Sequence, residues 1–99
     1  MANFYFTNKA INDLTQIWEF TFEKWSEKQA DRYYNDILNA CKRIATNSDI
    51  SRKYFKVVPD LLGLQINRHI IFFRRIDSDF VEITRILHEK MDLKNRILE

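Results

Sequence analysis

The chain has 99 residues, 45% of them hydrophobic, with one glycine and one proline, so the sequence predicts one folded domain, residues 1–99, and neither a disordered chain nor a turn-rich β-sandwich. A single cysteine excludes an internal disulfide, and no apolar run exceeds four residues, so we expect a cytoplasmic protein without a membrane span or signal peptide. The net charge of +2 is too small to indicate nucleic-acid binding.

The N-terminal residues predict a short strand followed by a helix. Phe4 and Phe6 alternate with Tyr5, which is the two-residue period of a strand over about residues 3–7. From residue 8 to about residue 24 the period becomes that of a helix. Its predicted apolar stripe consists of Ile11, Leu14, Trp18, Phe22 and Trp25.

A second helix follows almost without a loop. Ser26 with Gln29 three positions later is a capping-box pattern, which ends one helix and begins the next. The apolar stripe of this helix is Ala30, Tyr33, Ile37, Cys41 and Ile44. So short a connection predicts an antiparallel helical hairpin packed on a sheet, with Trp18 and Trp25 in the seam between the helices.

The second half of the chain predicts a β-meander. Residues 48–60 have no clean period and contain Pro59 and Asp60, so we predict a loop with a short irregular strand. Three β segments follow, at residues 61–66, 69–76 and 80–87. Asn67-Arg68 and residues 77–79 fit tight turns, which makes the three strands antiparallel.

The middle β segment carries apolar residues on both of its faces. Ile70 and Phe72 lie on one face, and Ile71 and Phe73 lie on the other, so this strand must be central and covered on both sides. The helical hairpin can cover only one face. The other needs a partner or the C-terminal segment 90–98, where a short amphipathic helix is expected. The predicted fold class is therefore α+β.

Several sequence segments, in this order of elements, resemble the RelE/ParE family of bacterial toxins. They are "INDLTQIW" in the first helix, "NRHIIFFRRI" in the middle strand and "VEITRILHEKMDL", which covers most of the last strand and continues beyond it. Within the family, "RILHEKMD" resembles the Arg-Ile-Leu-His, followed four residues later by Asp, of the ParE branch. The likeness covers nearly the whole chain.

This resemblance implies a toxin of a type II toxin-antitoxin system, held inactive by a cognate antitoxin whose disordered tail folds over it. ParE-like members poison DNA gyrase by trapping it on cleaved DNA, whereas RelE-like members cut messenger RNA in the ribosomal A site. One fold thus serves two functions, so the residues must decide between them.

The residues favour binding over RNA cleavage. If the protein were a nuclease, Arg74 and Arg85 would hold phosphate and His88 would transfer protons. RelE-like nucleases, however, have a tyrosine near the end of the chain, and here the last tyrosine is Tyr54. We therefore keep a ribosome-dependent endoribonuclease as the alternative, and a non-toxic interaction module as a further one.

Acidic neighbours of His88 suggest a structural corner more than a metal site. Glu89 and Asp92 lie close to His88 in sequence, but no second histidine or cysteine has a useful spacing, so no metal or other cofactor is expected. We expect Asp92 to pair with His88 or Arg85 and lock the passage from strand to helix.

The excess of positive charge lies in the second half of the chain. Residues 1–51 hold 6 Lys and Arg against 7 Asp and Glu, and residues 52–99 hold 10 against 7. Arg74 and Arg75 must lie on opposite faces of their strand, and one of them can pair with Glu82 on its neighbour.

The resulting hypothesis is a non-enzymatic gyrase inhibitor that acts through a basic C-terminal surface. The residues predicted to bind the target are Arg85, His88, Lys90, Asp92, Lys94 and Arg96, assisted by Arg75 or Arg74. Exposed aromatic residues are expected to contact the antitoxin, and the candidates are Tyr5, Phe20 and Phe73. No membrane partner is expected.

Overall fold

The computed structural model describes residues 3–46 and 51–99, which form a five-stranded sheet and three helices. In chain order the elements are β1 (Asn3–Phe6), α1 (Asn8–Lys24), α2 (Glu27–Thr46), β2 (Arg52–Lys53), β3 (Leu62–Ile66), β4 (His69–Arg75), β5 (Phe80–His88) and α3 (Leu93–Leu98). The strand order is β1-β5-β4-β3-β2, with β1 parallel to β5 and the other pairs antiparallel. The predicted α+β architecture is confirmed.

Local capping explains where the two long helices begin. The Thr7 hydroxyl accepts a hydrogen bond from the Ala10 N–H at 3.1 Å and starts α1. The Ser26 hydroxyl accepts one from the Gln29 N–H at the same distance and starts α2, as the capping-box pattern predicts. Only Trp25 and Ser26 separate the helices, which forces them into an antiparallel hairpin.

The predicted apolar stripe of α1 is wrong at both ends. Ile11 and Phe22 are exposed, and the Trp25 side chain is 69% exposed instead of lying in the seam. The helix is rotated so that Ala10 and Leu14 face the sheet. Of the two tryptophans, only Trp18 lies partly buried in the hairpin, where its indole N–H donates to Asp31 of α2 at 3.0 Å. The predicted stripe of α2 is confirmed.

Two apolar cores lie on opposite faces of the sheet. The hairpin-side core is formed by Ala10, Leu14, Ile37, Ala40, Cys41, Ile44, Ile71, Phe73, Val81, Ile83 and Ile86. The outer core is formed by Leu61, Ile70, Phe72 and Leu87, covered by Tyr54, Val58, Leu93 and Ile97. The prediction that the middle strand is covered on both faces is confirmed, and α3 shares the outer face with residues 54–58.

The connections follow the predicted turn chemistry. Ile66 pairs with His69 across the two-residue turn, and Asn67 adopts a left-handed conformation with φ of 50°. The Asp77 carboxylate accepts hydrogen bonds from the N–H groups of Asp79 and Phe80 in the next turn. In the predicted loop 48–60, residues 48–50 lie outside the described residues, and β2 is the expected short strand. No helix in the described ranges is both long and apolar enough to cross a bilayer.

Candidate functional site

A β-bulge in β5 determines where the predicted site residues point. Phe73 lies opposite Ile83 but Phe72 lies opposite Arg85, so Thr84 is an extra residue in β5. The Thr84 hydroxyl donates to the Phe72 carbonyl at 3.1 Å, which fills the gap in the ladder. Because directly opposed residues share a face, the bulge places Arg85 on the side of the outer core.

Asp13 of α1 completes the edge of β5 beyond the end of β1. The β1 ladder ends where Phe6 pairs with Ile83. Further along β5, the Ile86 N–H donates to the Asp13 carboxylate at 3.0 Å. Asp13 is 8% exposed and is the one buried charged residue in the described part of the chain. Its carboxylate therefore takes the place of a strand partner for a backbone N–H that would otherwise be unsatisfied.

Arg85 neutralises this buried carboxylate through a two-pronged contact. Its Nε lies 2.7 Å from Asp13 Oδ2 and its Nη2 lies 2.9 Å from Asp13 Oδ1, and these hydrogen bonds raise the pKa of the guanidinium. The third nitrogen, Nη1, donates to the Arg96 carbonyl of α3 at 2.7 Å. The Arg85 side chain is only 12% exposed. It joins α1, β5 and α3 and presents little area to a partner.

The other C-terminal residues predicted to bind the target are exposed, except for His88. We use the name C-terminal surface for His88, Lys90, Asp92, Lys94 and Arg96. His88 is half-buried at the end of β5, and the other four lie in the following turn or on α3. The Arg96 guanidinium lies 3.4 Å from the Glu99 carboxylate, and both side chains are about half exposed. Lys90, Lys94 and Arg96 are therefore accessible to a macromolecular partner.

The corner between β5 and α3 is closed differently from the prediction. The Asp92 carboxylate accepts from the Asn95 side-chain amide at 2.6 Å instead of pairing with His88 or Arg85. His88 Nδ1 accepts the Lys90 backbone N–H at 3.1 Å, and Arg85 is occupied by α1. The predicted Asp92 ion pair is wrong because His88 accepts the nearby Lys90 N–H, whereas Arg85 is bound by Asp13 of α1.

A groove runs between α1 and the end of β5. Its cavity volume is about 400 Å³, and the residues lining it include Phe20, His69, His88 and Met91. Phe20 is 63% exposed, so it presents a large apolar surface beside the groove. His69 and His88 are opposed residues of β4 and β5, and their rings pack edge to face with their centroids 5.2 Å apart.

His69, which lines this groove, is hydrogen-bonded to Tyr33 of the helical hairpin. The Tyr33 hydroxyl lies 2.6 Å from His69 Nδ1 and 3.3 Å from the Ile66 carbonyl, to which it can donate. Burial, with a smaller effect of His88, lowers the pKa of His69 to about 4, and burial raises the pKa of Tyr33 to about 12. Both groups are therefore neutral near pH 7.

Comparison with known proteins identifies the family of the chain. The model of the family described as "ParE toxin of type II toxin-antitoxin system, parDE" matches residues 4–93. The chain belongs to the ParE toxin family. The predicted resemblance and its ParE branch are thus confirmed, and membership implies an antitoxin as a partner.

Relatives and a solved structure agree with this assignment. This ParE family member is 29% identical over 84 residues to "Toxin ParE1" of Mycobacterium tuberculosis, which covers 85% of this chain and 86% of the relative. It is 25% identical over 99 residues to "Toxin ParE" of Escherichia coli, covering 100% and 96%. A chain of the "Chromosomal ParDE TA system from P. aeruginosa" has the same fold, with a TM-score of 0.74, 21% identity and coverage of 89% and 96%.

The three groups suggested for nuclease chemistry do not meet in this ParE family member. Arg85 and His88 both line the groove, but the Arg85 guanidinium is bound by Asp13, and His88 lies opposite His69, the first residue of β4. Arg74 is five residues further along β4, a separation of roughly 17 Å along the strand. This separation is too large for one phosphate to contact all three side chains.

Arg74 and Arg75 lie on opposite faces of β4, as predicted. Arg74 is exposed and lies opposite Glu82, but the Glu82 carboxylate accepts the Tyr5 hydroxyl at 3.0 Å, and the ion pairs between described residues do not include Arg74 with Glu82. Arg75 is half-buried and donates to the Ile44 carbonyl of α2 at 3.2 Å. Arg75 is thus at the far end of β4 from the C-terminal surface.

One of the three aromatic residues proposed for antitoxin contact is inaccessible. Tyr5 and Phe20 are exposed, as expected. The expected exposure of Phe73 is wrong, because its side chain is fully buried beneath the hairpin on the inner face of the central strand. The apolar residues on both faces of that strand already indicated this burial.

The acidic residues near His88 have protein partners. Glu89 lies 3.6 Å from the Arg68 guanidinium and accepts from the Gln65 side-chain amide. Among residues 3–46 and 51–99, no three His, Cys, Asp or Glu side chains converge as metal ligands.

Sequence reasoning missed Asp13, Tyr33 and His69 as members of this region. Asp13 looks like an ordinary polar residue of an amphipathic helix, and its partner Arg85 is 72 positions away. A regular β4–β5 register, continued from Arg75 with Val81, would place His69 opposite Leu87; the bulge moves His88 there instead. The bulge leaves no clear signal in the sequence.

Proposed function

We propose that this ParE family member inhibits DNA gyrase by binding it through the C-terminal surface and is neutralised by a cognate antitoxin. The observation that supports binding over catalysis is the arrangement of the basic residues. Lys90, Lys94 and Arg96 are exposed on one short segment, whereas Arg74 lies away from the groove that Arg85 and His88 line, and the Arg85 guanidinium is bound by Asp13. Exposed cations favour association with an acidic surface.

The antitoxin is proposed to contact the exposed aromatic residues. Phe20 projects beside the groove on the flank of α1, and Met91 lies exposed on the opposite wall. Tyr5 lies in β1, the edge strand next to β5. An apolar segment that crosses Phe20 would also pass the C-terminal surface, so antitoxin and gyrase would compete for neighbouring residues.

A gyrase assay with matched charge variants tests this function. The purified protein is expected to abolish supercoiling by gyrase and to cause cleaved DNA to accumulate. Lys90→Glu with Lys94→Glu is expected to weaken inhibition by about tenfold or more, because two attractive contacts become repulsive. Lys28→Glu with Lys42→Glu is the control, since it makes the same charge change on exposed positions of α2.

Two outcomes would contradict the proposal. Site-specific cleavage of mRNA on ribosomes, with gyrase activity unchanged, would favour the endoribonuclease. Harmless expression without an antitoxin, together with unaffected gyrase and ribosomes, would favour an interaction module.

A further inference from the structure

The attachment of α3 to the rest of the protein depends on few contacts. The helix has six residues, which is too short to be stable by itself. None of its residues is buried, and Leu93 and Ile97 are the side chains that pack on the outer core. Apolar packing therefore gives only a weak definition of where α3 lies.

Two cations hold the C-terminal end of this helix. Arg85 Nη1 donates to the Arg96 carbonyl at 2.7 Å, and the Lys9 ammonium of α1 donates to the Glu99 carbonyl. Carbonyl groups in the last turn of a helix lack the usual partner four residues further on, and the Arg96 carbonyl has only a long local bond from the Glu99 N–H at 3.4 Å, so donors from outside can fix the position of the helix.

Asp13 in turn fixes the orientation of Arg85. Its two oxygens bind Nε and Nη2 of the guanidinium, and the Ile86 N–H holds the same carboxylate against β5. A planar guanidinium held at two nitrogens has no remaining freedom of rotation, so Nη1 must point at α3. Lysine has the same charge but cannot bind Asp13 in this forked manner and reach the Arg96 carbonyl simultaneously.

We propose that Asp13 and Arg85 are positioning residues for the C-terminal surface, fixing α3 and its exposed cations relative to α1. This inference rests on the proposed function and changes the expected role of Arg85. With all three nitrogens bonded within the protein, Arg85 acts on gyrase through α3 and makes no contact with it.

The first test compares Arg85→Lys with the native protein. In the variant α3 should sample many orientations, so gyrase inhibition is expected to fall by about tenfold. Hydrogen exchange of the α3 amides is expected to accelerate by a similar factor. Asp13→Asn, which keeps an acceptor for Ile86, is expected to change both quantities in the same direction. Glu82→Gln is the control, because it makes the same carboxylate-to-amide change at a contact of β5 remote from α3.

A chemical rescue distinguishes positioning from direct contact. Lys9→Cys with Glu99→Cys places thiols where α1 and the end of α3 meet, and a short bismaleimide linker then tethers the helix. Cys41 should not react, because burial raises the pKa of its thiol to about 12. With the linker in place, Arg85→Lys is expected to inhibit gyrase within about twofold of the linked protein that retains Arg85.

The outcomes separate the two hypotheses. Inhibition that stays low in the linked Arg85→Lys protein, while the linked control is active, would show that Arg85 itself touches gyrase and would overturn the inference. If neither the linked nor the native Arg85 protein inhibits gyrase, the proposed function fails, and unchanged α3 exchange in Arg85→Lys would then refute the positioning role independently.

Discussion

The hairpin-side core and the outer core share strand β4, but they differ in how much of the chain covers them. Two long helices cover the hairpin side, where eleven buried residues interdigitate. The outer side has four buried residues, covered by partly exposed side chains from residues 54–58 and from α3. The hairpin side therefore supplies most of the stability, and the outer side provides a thin support for the charged residues proposed to bind the target.

The largest expected effect comes from the two adjacent phenylalanines of β4, which are both fully buried but on opposite faces. Phe73→Ala is expected to lower the free energy of unfolding by about 4 kcal/mol, because two helices cannot collapse into the cavity. Phe72→Ala should cost about 3 kcal/mol, since Tyr54 and α3 can move inward. Urea unfolding of both variants measures the difference. An equal or larger loss for Phe72→Ala would show that the outer cover is as rigid as the hairpin.

The Asp13–Arg85 pair connects the two sides of the sheet, and its disruption is expected to have the next largest effect. Asp13→Leu leaves a nearly buried guanidinium without its partner and should cost about 3 kcal/mol. Adding Arg85→Met removes that unpaired charge, so the double variant should be more stable than Asp13→Leu alone. Thermal and urea unfolding of Asp13→Leu, Arg85→Met and the double variant measure the three free-energy changes. Additive losses would indicate that the pair contributes through packing and not through charge.

Gly63 tests how tightly the outer side is packed. A Cβ atom at this position of β3 would lie 2.6 Å from a ring carbon of Tyr54 and 3.1 Å from Ile70. Gly63→Ala is therefore expected to destabilise the protein by about 2 kcal/mol through overpacking. Combining it with Tyr54→Val should recover part of this loss, and urea midpoints of the three variants provide the measurement. A neutral Gly63→Ala would mean that the segment carrying Tyr54 shifts freely.

The sequence predicted the features of these two sides that repeat along a single strand or helix, and it missed those that depend on packing between elements. Periods of two and of three to four identified the meander and the hairpin, because burial repeats along each element. The same reasoning failed on α1, which has apolar residues on two flanks, so that periodicity alone favoured the flank that contains Trp25 over the one that contains Ala10. Packing against the sheet, not local pattern, decided the rotation.

The candidate site was less predictable because it depends on a bulge and on a long-range ion pair. The local segment predicted that Arg85 binds the target, but the fold places its guanidinium against Asp13 and leaves its side chain only 12% exposed. Phe73 could have been excluded from the surface, since the strand that contains it is apolar on both faces. Lys90, Lys94 and Arg96 were correctly placed at the surface, where composition alone is a good guide.

The smallest expected effect is a pH dependence confined to the hairpin side, where His69 contacts Tyr33 of α2. The unfolded chain takes up a proton on this residue near pH 6.5, whereas burial lowers its pKa to about 4 in the folded protein. Stability is therefore fully retained above pH 6.5 and falls as the pH drops from 6.5 to 4. After allowance for solvent screening the loss should be about 1 kcal/mol. Urea unfolding at both pH values, compared between the native protein and His69→Gln, isolates this contribution, because the carboxylates titrate in both proteins. Identical pH dependence in the two would show that His69 is hydrated in the folded state, so that the hairpin seals this end of the sheet less completely than the rest of its core.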